Sequence, residues 1–226
     1  MNTAVTQFYE FLNGNLDLPG CVYLREFFYK PEIKERWSTA PASTALRFHH
    51  AHEGGLAEHT LEVILVMKQL ATVLKGVTLR GIDILMVGAL HDVHKIGDAL
   101  GHPNYVPNYL KEGKLSEKVP FVTNAASMKY THIPDIGGRD PAWRQTSYLA
   151  THCAEDVPEG DLSLSLVYAV HPPLYEALND DVKFAIRFHD GAYGIARRKL
   201  VNNETPLQMI LHFADMWSSK AGHKPE

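Results

Sequence analysis

Apolar positions recur at helical spacing along most of the chain. Val5, Phe8, Tyr9 and Leu12 keep an i, i+3, i+4, i+7 rhythm, so residues 2–37 read as two short helices broken by GNLDLPG. WSTAPASTALRFHHAHEGG is loop-like, punctuated by Pro41 and the pair Gly54-Gly55. Leu56, Val63, Ile64, Met67, Leu70, Ala71 and Leu74 then form a stripe that predicts a long helix over 56–75, closed by Gly76. IDILMVGAL is apolar on nearly every side and predicts a buried helix over 81–95.

Residues 97–145 break this rhythm. Gly97, Gly101, Pro103, Pro107, Gly113, Pro120, Pro134, Gly137, Gly138 and Pro141 punctuate a long irregular stretch with room for one short helix. Insertions of this kind often carry substrate-binding loops. Helices are expected again over 143–153, 161–170, 173–190 and 205–219, the last opened by Thr205 as N-cap and Pro206 at its first position. Strand alternation is weak throughout. The pattern therefore predicts an all-α bundle: one domain over 1–226, with an N-terminal helical extension (1–40) and an insertion (97–145) bordering the site.

Composition narrows the partners. The chain has 226 residues, 45% of them hydrophobic and 21% charged, enough apolar material for one real core. A net charge of -4 is a poor footprint for stable duplex nucleic-acid binding. The two cysteines, Cys21 and Cys153, make no metal-type pair and no disulfide framework, and MNTAVTQFYEFL lacks the basic start and apolar run of a signal peptide. With no apolar run long enough to span a membrane, the expectation is a cytoplasmic protein without a membrane partner.

The informative signal is polarity where the core should be. His59 lies four residues before Val63 and eight before Met67, on the buried stripe of its helix. Asp215 follows Leu211 by four, and His189 follows Ala185 by four and Ile186 by three. His91 and Asp92 close the most apolar helix of the chain. An unpaired buried carboxylate costs several kcal/mol, so buried charges are normally paired or bind metal. Each residue alone has a plain explanation: a hydrogen-bonded core histidine, a helix cap, an ion pair of Asp215 with Lys220. Together, imidazole and carboxylate side chains from four helices suit a divalent ion.

The order His59, then His91-Asp92, then Asp215 resembles the HD superfamily of metal-dependent phosphohydrolases. The pieces that carry the likeness are STALRFHHAHEGGLAEHTLEV, ALHDVHKIG, FAIRFHDGAYG and PLQMILHFADMWSS, which span most of residues 40–220. They look closest to small bacterial and phage HD proteins of unassigned substrate. The resemblance implies an HD-type helical bundle and hydrolysis of a nucleotide-type phosphate by metal-activated water. It implies that His59, His91, Asp92 and Asp215 hold one divalent ion, which the sequence leaves open among Mn, Mg, Fe, Co, Ni and Zn. It implies a second ion bridged by Asp92 and served by His189. Glu159, in PEGDLS, stands where the family has a further histidine, a departure compatible with a hard ion or with a single metal. His152 and His171 lie nearby as possible substitutes.

Lys95 matches a family lysine that contacts phosphate, and the resemblance makes Lys95, Asp92 and His189 the catalytic candidates. Arg47 and Arg187 suit phosphate anchoring, because guanidinium groups grip phosphate oxygens at two points. His49, His50 and His52 crowd the approach to His59, with at most one, represented by His50, expected to touch substrate. His94 reads as structural. Tyr105, Tyr109, Tyr130, Trp143 and Tyr193 are candidates for stacking on a base. Two rival readings are a 3′–5′ exonuclease acting on single strands, for which no separate nucleic-acid module fits before the motif, and a non-catalytic metal-binding sensor or scaffold. A cysteine hydrolase on His152 and Cys153 is disfavoured, since adjacent residues on a helix point about 100° apart.

Overall fold

The computed structural model describes residues 2–44, 49–111, 143–150, 157–191, 194 and 197–220. It is mostly helical, as the periodicity predicts. The N-terminal region forms three helices, not two: α1 (Thr3–Asn13), α2 (Cys21–Tyr29) and α3 (Pro31–Thr39). Asn2 caps the first through its side chain, which accepts from the Ala4 amide at 3.0 Å. Pro31 restarts the chain as α3, because its ring suits a first helical position where no amide donor is needed. Phe8, Phe27, Phe28 and Trp37 interlock, with Phe8 and Phe28 each 4.7 Å from the Trp37 ring. Fully burying a side chain of this class contributes about 1.5–3 kcal/mol. These helices share one hydrophobic core with most of the described helices that follow them.

The long stripe becomes α4 (Gly55–Val73), and the apolar run becomes α5 (Gly81–Leu90). They cross closely at Gly88, where a Cβ would collide with Ile64. The helix expected to reach residue 95 stops at Leu90, and the chain tightens into a 3-10 turn over Val93–Ile96, ended by Gly97 in a left-handed conformation (φ 108°). The irregular insertion contributes β1 (Tyr105–Lys111), paired antiparallel with β2 (Trp143–Ala150) and bulged between Asn108 and Tyr109. The helix expected over 143–153 is therefore a strand where it is described. Thr146 and Tyr148 suit a strand, and pairing with β1 overrides the weak local helical rhythm. The Tyr148 amide anchors this ribbon to the Thr44 carbonyl at 2.6 Å.

The C-terminal half comprises α6 (Glu159–Val170), α7 (Pro172–Ala177), α8 (Asp180–Arg187), α9 (Arg197–Leu200) and α10 (Pro206–Lys220). The single helix expected over 173–190 is thus two. Asn179 interrupts it by capping α8, its side chain accepting from the Val182 amide at 3.0 Å. The second of these ends at Arg187 with Phe188 as its C-cap, so His189 lies in the turn after α8 instead of on a helical stripe. Helices α4, α5, α8 and α10 pack around one centre. Among the described residues no helix is long and apolar enough to cross a membrane.

Candidate metal centre

Four polar side chains meet where α4, α5 and α10 converge. His59 comes from the first half of α4, His91 and Asp92 from the end of α5, and Asp215 from the middle of α10. Each offers a donor atom, all within 4.8 Å of one another. His59 Nε2 lies 3.3 Å from His91 Nε2, 3.5 Å from Asp92 Oδ2 and 3.2 Å from Asp215 Oδ1. His91 Nε2 lies 3.5 Å from Asp92 Oδ2 and 4.0 Å from Asp215 Oδ1. With metal–donor bonds of about 2.0–2.2 Å, neighbouring ligands of one ion stand about 3–3.5 Å apart, so these atoms are spaced like the corners of a coordination polyhedron.

The remote ring nitrogens fix which face each imidazole presents. His91 Nδ1 is 2.9 Å from the Gly88 carbonyl, which can only accept, so Nδ1 carries the proton and Nε2 turns a lone pair inward. Ser218 Oγ donates to Glu62 Oε2 at 2.7 Å, so it accepts from His59 Nδ1 at 2.9 Å. His59 Nε2 is then also a lone pair. Two imidazole lone pairs and two carboxylates facing one another need positive charge between them. Such outer hydrogen bonds are a usual support of metal-ligating histidines.

Asp92 has a second face. Its Oδ1 is buried without a hydrogen-bond partner among the described residues and lies 3.5 Å from His189 Nε2. His189 Nδ1 donates to the Ile186 carbonyl at 2.8 Å, so Nε2 is the nitrogen turned toward Asp92, a lone pair whenever the ring is neutral. Asp92, Glu159 and His189 form a second group with donors within 4.8 Å of one another. Gly160 makes this group possible, because a Cβ there would collide with the Ile186 carbonyl and push the start of α6 away from the end of α8. The turn carrying His189 is pinned by α10: His212 Nδ1 donates to the His189 carbonyl at 2.7 Å, and Gln208 Nε2 to the Phe188 carbonyl at 2.8 Å. His94, read as structural, borders this face with Nε2 3.5 Å from Glu159. Ser163 Oγ donates to the His91 carbonyl at 2.7 Å and accepts from His94 Nδ1 at 3.0 Å.

Electrostatics agree with a site that seeks cations. Burial holds the His91 imidazole at about 4, against the pull of Asp92 and Asp215. Burial also opposes charge on His189, but its contact with Asp92 and the charges of Asp190 and Asp215 prevail and raise it to about 10. His59 is raised against burial by Asp215 and Asp92. Burial pushes the Asp92 carboxyl up, but Lys95, His91, His189 and His59 overcome it and hold the group well below its usual range. Asp215 is likewise held low, against burial, by His59 and His91. Both carboxylates are thus ionised at neutral pH, and His189 carries a proton that an ion there would displace. The buried His/Asp groups can hold a metal ion.

Lys95 sets its ammonium 2.6 Å from Asp92 Oδ2 and lines a cleft of about 360 Å³ with Arg36, Glu53, Tyr105 and Tyr148. A larger cleft of about 600 Å³ between α6 and α8 carries Arg187 and Lys183 but none of the donor residues. Arg187 is ion-paired with Asp161 at 3.0 Å. His50 is buried with both ring nitrogens near carboxylates, Nε2 3.0 Å from Glu62 and Nδ1 3.5 Å from Glu58. His49 packs beside His59 with the rings tilted by 51° and their centroids 4.9 Å apart. His171 sits away from the cluster, capping α7 and facing Glu26. Arg47, His152, Cys153, Tyr130 and Tyr193 lie outside the described residues.

Sequence reading misses Ser218, Glu62, Ser163, Gly88 and Gly160. Part of the signal is present: Ser218 follows Asp215 by three, Glu62 follows His59 by three, and Gly88 precedes His91 by three, each sharing a helical face with a ligand. Comparison of the chain with protein-family models, with curated proteins and with solved structures found no match.

Proposed function

We propose that this chain is a metal-dependent phosphohydrolase of HD-superfamily type, an HD-type helical bundle acting on a nucleotide-type phosphate ester or anhydride. The observation that carries the reading is the position of Asp92. Its Oδ2 faces His59 and His91, its Oδ1 faces His189, and a lysine ammonium stands beside it. A carboxylate placed this way suits one ion on each side.

A divalent ion at the first face supplies Lewis acidity and lowers the pKa of a coordinated water toward about 7. The mixed nitrogen and oxygen donors suit Mn, Fe, Co, Ni or Zn better than Mg at the first face, while Glu159 adds an oxygen donor at the second. Lys95 gives Asp92 one of its three N–H donors and directs positive charge into the cleft beside the ligands, where it neutralises phosphate oxygens. Tyr105 and Tyr148 form an aromatic wall of the same cleft and favour a substrate with a base. Arg187 serves phosphate only by leaving Asp161, so Lys95 is the stronger candidate. A buried free Cys21 is consistent with a cytoplasmic setting.

The test is phosphate release from nucleoside mono-, di- and triphosphates and short oligonucleotides with Mn²⁺, Mg²⁺, Co²⁺, Ni²⁺ or Zn²⁺, beside a His91→Ala/Asp92→Ala control. Metal-dependent turnover of one substrate class, lost in the control, is expected. Absence of turnover with metal bound would transfer the assignment to a sensor or scaffold.

A further inference from the structure

A third cluster of potential ligands lies outside this centre, on the loop that leads into α4. His50, His52 and Glu58 each bring one donor atom within 4.8 Å of the others. His50 Nδ1 is 3.5 Å and His52 Nε2 is 3.3 Å from the same oxygen, Glu58 Oε2.

The remote nitrogens again decide the chemistry. His52 Nδ1 is 3.2 Å from the Glu53 carbonyl, which can only accept, so the neutral ring carries its proton there. His52 Nε2 then turns a lone pair on Glu58. His50 Nε2 is 3.0 Å from Glu62 Oε2, an acceptor, so Nε2 carries the proton and Nδ1 turns its lone pair on Glu58 as well. Each lone pair lies 3.3–3.5 Å from the carboxylate oxygen, close to the spacing of about 3.3 Å between neighbours on a tetrahedral ion, and the donors of the three residues lie within 4.8 Å of one another.

The loop is built to hold this arrangement. His50 keeps a left-handed backbone (φ 46°), uncommon for a residue with a side chain. Its carbonyl accepts from the Ala42 amide at 3.0 Å, and the Gly55 amide donates to the His52 carbonyl at 2.9 Å. A Cβ on Gly55 would collide with the His50 carbonyl, so the chain closes tightly only with glycine there. Strained conformations held in this way concentrate at functional sites.

We propose that His50, His52 and Glu58 form a separate binding site for a borderline divalent cation of the Zn²⁺ type, with an open fourth position toward solvent. Two imidazoles and one carboxylate are the donor set such an ion prefers. The site is coupled to the central cluster. His50 and Ser218 both donate to Glu62 Oε2, and Ser218 orients His59. An ion on His50 Nδ1 locks Nε2–H onto Glu62 and stiffens the support of a central ligand. The site does not depend on what reaction the central cluster performs.

The test counts Zn²⁺ bound to the full chain after chelator treatment and re-equilibration, by elemental mass spectrometry. Wild type is compared with His52→Ala, Glu58→Gln and His91→Ala/Asp92→Ala, and circular dichroism reports folding. His52 is half-exposed, so its replacement leaves the core intact. The expected result is one Zn²⁺ fewer in His52→Ala and in Glu58→Gln, and loss of visible Co²⁺ absorption from a tetrahedral site. The double variant keeps the ion that His52→Ala removes, which separates this site from failure of the central one. Equal Zn²⁺ content and affinity in wild type, His52→Ala and Glu58→Gln would overturn the proposal.

Discussion

The two faces of Asp92 are built differently. The Oδ2 face has donors from α4, α5 and α10, and His59 and His91 are fully buried with their remote nitrogens hydrogen-bonded. The Oδ1 face has one buried, well-held ligand, His189, and one carboxylate, Glu159, whose side chain is 53% exposed. The first face is preorganised, so a cation meets little ordering cost there. The second depends on an exposed side chain that loses rotamer freedom of about 1.5–2 kcal/mol when it is fixed. The expected order of filling is an ion at the first face before one at the second, with weaker affinity at the second.

The largest effect comes from removing what the faces share. Asp92→Ala is expected to abolish both sites and lower turnover by about 10³-fold or more, since Lewis-acid stabilisation is worth several kcal/mol and each 1.36 is tenfold. Metal counting beside steady-state assays checks it, and unchanged turnover would remove Asp92 from the mechanism. Gly160→Ala separates the faces. The added Cβ meets the Ile186 carbonyl, so α6 must shift and carry Glu159 from His189. We expect a stability loss of about 1–3 kcal/mol and a second-ion affinity about 10–100-fold weaker. The first-ion affinity should hold, as read by calorimetric titration.

Ser218→Ala acts on the other face only. It removes the hydroxyl that orients His59, and the first ion is expected to bind about tenfold more weakly, at the low end of the range for such supports. The smallest effect is a pH dependence. Against burial, contact with Asp92 and the charge of Asp190 raise His189 to about 10, so an ion at the second face must displace a proton below that value. Second-ion affinity should therefore rise with pH by up to about tenfold per unit across the neutral range and level off above 10. His91, held at about 4, is already neutral there and adds nothing to the slope. Mn²⁺ titrations at several pH values read it directly, and a flat profile would show that His189 is not a ligand.

The helices that carry the first face were legible because they are long and strongly periodic. The stripe through Leu56, Val63 and Met67 puts His59 in the core, and α10 does the same for Asp215. The second face was less legible. Periodicity singles out His189 but places it on a continuous helix, whereas α8 ends at Arg187 and the burial of His189 comes from a turn pinned by His212 and Gln208. Those bonds join residues about twenty positions apart, which periodicity does not record. Strand β2 escapes the periodicity for the same reason, since its partner β1 lies more than thirty residues upstream and pairing overrides local preference. Ser218 and Glu62 show the limit at finer grain: their spacing is visible, but the chain Glu62–Ser218–His59 exists only once α4 and α10 pack together.

Everything proposed for this centre depends on His59, His91, Asp92 and Asp215 holding an ion together. Anomalous diffraction at the manganese edge, from crystals grown with Mn²⁺, tests it most directly. The account predicts a strong peak about 2.0–2.2 Å from His59 Nε2, His91 Nε2 and the facing oxygens of Asp92 and Asp215. No peak there at saturating Mn²⁺, with the four side chains hydrogen-bonded directly to one another, would contradict it.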